Sequence, residues 1–193
     1  MVISVEIKNL DRIEQLIRAM PKEAEKELRK AVNKAEDAAH REALIQITRV
    51  YTVKMEAIAK ELIGIKASGS SLQAILKSRG RPRGAGNFNV YPKNVNPNPG
   101  WTSRSGYSAE IITGKTSQLS SNYFWLSGKN NNVHLFKRAD SSKRGKDFEI
   151  FATVSTPQML ENENVIDRVA EVTLAQLEAV FMKGMERRLS MEG

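Results

Sequence analysis

The stretch that decides the fold is PKEAEKELRKAVNKAEDAAHREALIQITRVY, residues 21–51. Ala24, Leu28, Ala31, Val32, Ala35, Ala39, Ala43, Ile47 and Val50 recur at spacings of three and four, the period of one apolar helix face. Pro21 suits a first helical turn, where its missing N–H is not needed. At 1.5 Å per residue the run spans about 46 Å. Alanine dominates the stripe, so another backbone can come close, and tight packing on a helix or a sheet is expected.

Upstream, VISVEIKN alternates apolar and polar from Val2 to Lys8, the pattern of a half-buried strand. DRIEQLIRAM, residues 11–20, reads as a short helix. Downstream, Thr52 is placed to cap a short helix over 53–61, which Gly64 breaks. The period then changes. IGIKAS, SLQAILKS, NFNVYP, YSAEIIT, NYFWLS, NVHLFKR and FEIFATV are short runs with β-branched or aromatic residues, separated by Gly, Asn, Ser and Pro. They predict antiparallel strands, with long loops at 80–86, 93–105, 114–121 and 138–146. Tyr107, Tyr123, Phe124 and Trp125 are expected in the sheet core. A last helix is expected over 162–189, with Ile166, Val169, Ala170, Leu174, Leu177, Val180, Phe181 and Met185 on one face.

The order predicts an α+β fold in which two long helices, one N-terminal and one C-terminal, pack on an antiparallel sheet. A single domain over 1–193 is expected, carrying a basic, loop-rich arm at about 77–106.

The net charge of +8 is unevenly spread. Residues 1–61 hold 12 Lys/Arg and 11 Asp/Glu, a net of +1. Residues 62–146 hold 14 basic residues against Glu110 and Asp140, a net of +12. Residues 147–193 hold 4 against 9, a net of −5. Such separation points to a polyanion or an oppositely charged protein neighbour. Lys77, Arg79, Arg81 and Arg83 alternate. On an extended strand they would form one row of charge about 6.6 Å apart, a spacing suited to phosphates read without sequence preference. With Lys93, Arg104, Lys137, Arg138, Lys143, Arg144 and Lys146 they make up the candidate partner- or DNA-facing set.

Catalytic chemistry finds little support. The chain has no cysteine, so it has neither a disulfide framework nor a thiolate metal site, and it has only two histidines. His40 and His134 have no carboxylate or nucleophile beside them in sequence. Gly114-Lys115-Thr116 lacks the earlier glycine and the following helix of a phosphate-cradling loop. Glu161, Glu163 and Asp167 suit a helix start without needing a metal. The reading is a non-enzyme with no metal and no cofactor. The N-terminus carries acids where a signal peptide needs an apolar run, and no window approaches a membrane span, so a cytoplasmic site of synthesis is expected.

The order of several short motifs resembles the phage minor tail protein Z family. The matching pieces are Tyr51–Lys54, Ile63–Lys66, Ser78–Pro82, Phe88–Pro92, Phe136–Arg138 and Pro157–Leu160, and the likeness runs over nearly the whole chain. The resemblance implies a structural virion protein of a long-tailed phage or prophage, acting in tail completion or head–tail joining. It implies a homo-oligomeric ring, a hexamer, at the head-proximal end of the tail around the DNA passage. The implied neighbours are tail terminator, tail tube or head–tail connector proteins, with non-specific DNA contact and no membrane. The alternative reading is a cytoplasmic basic nucleic-acid-binding module.

Overall fold

A computed structural model describes residues 15, 17–18, 20–69, 71–92, 106–120, 122–127, 133–138 and 148–192. The strand expected at 2–8 lies outside these residues. Of the helix expected at 11–20, only residues 15, 17, 18 and 20 are described, the first three of them helical. The elements are α1 (Pro21–Val50), α2 (Met55–Ala59), β1 (Leu62–Ile65), β2 (Ile75–Ser78), a 3-10 turn (Ala85–Asn87), β3 (Asn89–Tyr91), β4 (Tyr107–Ile112), β5 (Lys115–Leu119), β6 (Tyr123–Ser127), β7 (Val133–Arg138), β8 (Phe148–Ile150), α3 (Thr156–Leu160) and α4 (Glu163–Glu192). The class is α+β with two long helices and antiparallel sheets, as the sequence predicts.

The chain divides into two compact units. One is built from residues 1–46, 62–78 and 160–193. Its core is the seam between α1 and α4, where Ala24 and Ala31 are buried beside Phe181 and Met185, with Leu28, Leu177 and Val180 around them. The alanine stripe does what its small side chains allow, since Ala24, Ala31, Ala35, Ala39 and Ala43 are all buried. Glu27 is buried at this seam too. Arg188 of α4 reaches it at 3.0 Å and Lys30 at 2.8 Å. The hydrogen bond from Lys30 and that from Arg188 hold the Glu27 carboxyl below the usual range, against the opposing effect of burial.

The hairpin β1–β2, with Leu62 opposite Ser78, lies against α1 in the same unit. The Asn33 side chain brackets Ala67, donating to its carbonyl at 3.3 Å and accepting from its N–H at 2.7 Å. Lys66 bonds both Glu36 and Asp37. Gly64 sits where the Glu36 carboxylate needs space: a Cβ there would lie 2.0 Å from Oε1. Overpacking the alanine face costs about 1–3 kcal/mol in comparable cores. Ala35→Leu is therefore expected to lower stability by about that much in a urea melt, and an unchanged midpoint would mean the face is open.

The second unit comprises residues 47–61 and 79–159. It holds two three-stranded antiparallel sheets, ordered β3-β4-β5 and β6-β7-β8. Val90, Tyr107, Ala109, Tyr123, Trp125 and Leu135 share one core with Ala85. The aromatic residues expected in the sheet core are all buried. Two local expectations fail. Residues 114–121, read as a loop, contain β5, which pairs with β4 with Ser117 opposite Ala109. KTSQL is exposed along nearly its whole length, so it carries no alternation to read. Thr52 does not cap the short helix, whose N-cap is Lys54 without a side-chain bond. The Thr52 hydroxyl instead donates to the Glu110 carbonyl and accepts from the Asn89 N–H, stitching the chain onto β3 and β4.

Candidate basic interface

The basic segment after β1 is not a free arm as far as Pro92. Lys77 lies in β2, opposite Ile63, with its side chain exposed. The Arg79 N–H donates to the Glu61 carbonyl at 2.9 Å, and the side chains of Arg79 and Arg81 are exposed. Residues 85–91 form the 3-10 turn and β3, with Phe88 and Val90 buried. Lys93 and Arg104, and the rest of the expected arm beyond Pro92 up to Ser105, lie outside the described residues, as do Lys143, Arg144 and Lys146.

Arg83 departs from the expected row of four. Strand β2 ends at Ser78, and Gly80 follows with φ +154°, a conformation that side-chain-bearing residues rarely adopt. A Cβ on Gly80 would also stand 2.4 Å from Glu61 Oε2. Beyond this turn the Arg83 side chain, 10% exposed, pairs with Glu61 at 2.7 Å. Its Nη2 also donates to the Ala57 carbonyl at 2.6 Å and to the Thr156 hydroxyl at 3.3 Å. The buried Thr156 hydroxyl donates in turn to Glu61. Residues 83–85 run antiparallel to 151–154, with Thr153 N–H on Arg83 O at 2.7 Å and Ala85 N–H on Phe151 O at 3.1 Å. Arg83 is therefore an internal staple and not a partner-facing cation. Residues 77–83 do not stay one straight strand, because Glu61 draws the third arginine inward.

On β7, Lys137 is exposed. Arg138 is half-buried, with its guanidinium 5.0 Å from the centre of the Phe124 ring. Phe124, Phe136 and Phe148 come together from three strands, with ring centres 5.2–6.0 Å apart. This cluster is not legible in the sequence, because the rings are 12 residues apart along the chain and only sheet register unites them.

The acids that bound the basic segment in sequence, Glu61 and Glu110, are already engaged. Glu61 holds Arg83. Glu110 accepts the Gly114 N–H at 2.7 Å and the Asn89 amide at 3.2 Å. The Gly114 bond and then the Asn89 bond hold its carboxyl below the usual range. Among the described residues, Lys77, Arg79 and Arg81 make no ion pair. Three cations exposed within five residues of chain can attract an anionic surface over about 8 Å at physiological salt.

His40 lies 3.3 Å from the Leu62 carbonyl, and the ring of His134 lies edge-on to Phe136. Among the described residues no group of three or more His, Asp or Glu is placed to hold a metal ion. No described helix is long and apolar enough to cross a membrane. Set against family models, curated proteins and solved structures, the chain finds no match in any of the three.

Proposed function

We propose that the chain is a structural, non-enzymatic subunit of a phage tail. In this reading it acts in tail completion or head–tail joining, as one member of a ring at the head-proximal end around the DNA passage, assembled in the bacterial cytoplasm. The order of motifs from Tyr51 to Leu160 suggests the family. The observation that carries the reading is the trio Lys77, Arg79 and Arg81, exposed and without an ion pair among the described residues, while the acids that flank them in sequence, Glu61 and Glu110, hold internal partners. A surface of that kind suits an acidic neighbour in an assembly, or DNA held without sequence preference.

Reversing all three to glutamate is expected to leave the fold intact, since exposed substitutions usually change stability by less than about 0.5 kcal/mol each. In a phage lacking its own copy of this protein, the reversed chain is expected to lower the yield of joined, infectious particles by at least about tenfold, the factor that corresponds to 1.4 kcal/mol of lost contact. Particle counts by electron microscopy and plaque titre measure it. Normal numbers would mean that these cations are only solvated. A chain that complements no tail defect but binds RNA tightly at physiological salt would favour the nucleic-acid-binding alternative.

A further inference from the structure

We propose that the outer edges of β5 and β8 are the two halves of one head-to-tail interface between copies of this chain. Among the described residues both strands end their sheets. Lys115, Thr116, Ser117 and Gln118 of β5 are all exposed, on both faces of the strand. Phe148, Glu149 and Ile150 of β8 are exposed as well, the two apolar side chains at 40% and 50%.

Natural sheets protect their edges with prolines, bulges, short strands, charged side chains or covering chain, because open backbone N–H and C=O groups recruit another strand; on β5 and β8 that leaves one charged side chain each, and on β8 a length of three residues. β3 shows such protection: its Asn89 N–H is taken by Thr52, and Pro92 follows the strand. β5 has no proline, and the irregularity in its pairing falls on the β4 side, between Glu110 and Ile112. On β8 the cover stops short. Residues 83–85 lie along 151–154, then leave through the 3-10 turn, so the edge from Phe148 to Ile150 is not capped by them.

Charge selects the occupant. Each edge carries one ionised side chain, Lys115 on β5 and Glu149 on β8. Lys137 is the register neighbour of Glu149, and among the described residues Glu149 makes no ion pair. Antiparallel pairing of β8 with its own copy about Glu149 would set two carboxylates opposite one another, which is destabilising. Pairing β5 of one copy with β8 of the next instead joins a lysine edge to a glutamate edge. The added strand supplies main-chain hydrogen bonds and covers Phe148 and Ile150. Two different edges meeting in this way form a heterologous contact, which closes into a ring or runs on as a filament. The inference deepens the ring reading and rests on it only for closure. Assembly is measured on purified protein and tail joining on particles, so either can fail alone.

The test uses the full chain, freed of nucleic acid, in sedimentation velocity over a range of concentrations. The wild type is expected to assemble. Lys115→Glu and Glu149→Lys are each expected to weaken assembly at least about tenfold, as like charges meet across the interface. The double variant is expected to regain it. So is an equimolar mixture of the two single variants, in which each edge meets its opposite charge on the other species. Both sites are exposed, and circular dichroism should show the folds unchanged. A wild type that stays monomeric, or single variants that assemble as the wild type does, would overturn the proposal.

Discussion

Arg83→Ala is expected to destabilise the unit built from residues 47–61 and 79–159 by about 3 kcal/mol, whereas Arg81→Ala two positions earlier changes it by less than about 0.5 kcal/mol. The two arginines share a sequence context but differ in surroundings. Arg81 is exposed. Arg83 is inside, on Glu61, the Ala57 carbonyl and Thr156 at once. Removing it leaves a carboxylate and a carbonyl that have lost their donor. Breaking a buried pair from one side costs about 3–5 kcal/mol, and the low end applies because the Glu61 side chain keeps 28% exposure and a hydroxyl donor. Arg83→Lys should fall between the two, since an ammonium keeps the charge but loses the planar fork of donors. Urea melts followed by tryptophan fluorescence would read the difference, because Trp125 is buried in this unit's core. Equal, small effects at 81 and 83 would mean that the inward staple does not form.

The same pair shows where sequence reading stops. α1 is legible because its alanines repeat at helical spacing, and Ala24, Ala31, Ala35, Ala39 and Ala43 are all buried. α4 is legible from its own apolar stripe at helical spacing, although Val165 is fully buried where the stripe points to the half-buried Ile166. Strands β1, β2, β3, β4, β6, β7 and β8 are legible from their β-branched and aromatic runs. β5 is not, because its polar side chains are exposed on both faces and leave no period of two. Arg83 looked like Arg79 and Arg81, because what separates them is Glu61, more than twenty residues away, together with the turn at Gly80. Nothing in the sequence marks Glu27 and Glu36 as buried. Their burial is set by Arg188 on α4 and by Lys66 beyond β1, partners that helical spacing does not announce. In sequence Gly64 marks the end of a helix, yet its place is fixed by the carboxylate it leaves room for. Periodic burial against a neighbour was readable, and long-range polar pairing was not.

The second large effect is expected at Phe181, and it tests whether the α1–α4 seam carries the stability of its unit. Phe181 is 2% exposed, the largest side chain in a cluster whose α1 contributions include Ala24 and Ala31. Alanines cannot reach across to refill a space left by a ring. Met20, Met185 and the partly buried Leu28 and Leu177 are anchored at their own positions and can close only part of it. Phe181→Ala should therefore sit in the range of about 3–5 kcal/mol seen for buried aromatic truncations. Phe181→Leu, which keeps most of the apolar bulk, should cost less than about 2 kcal/mol, within the range for hydrophobic swaps that nearly conserve volume. Helicity at 222 nm during a urea titration is the measurement, since α1 and α4 dominate the signal. If Ala31→Val, combined with Phe181→Ala, recovers part of the loss, the two positions face one another across the seam. Additive losses would place them in separate environments. A cost below about 1 kcal/mol for Phe181→Ala would show that the helices hold together by their polar contact, Glu27 with Arg188, and not by the fit of one ring against small side chains.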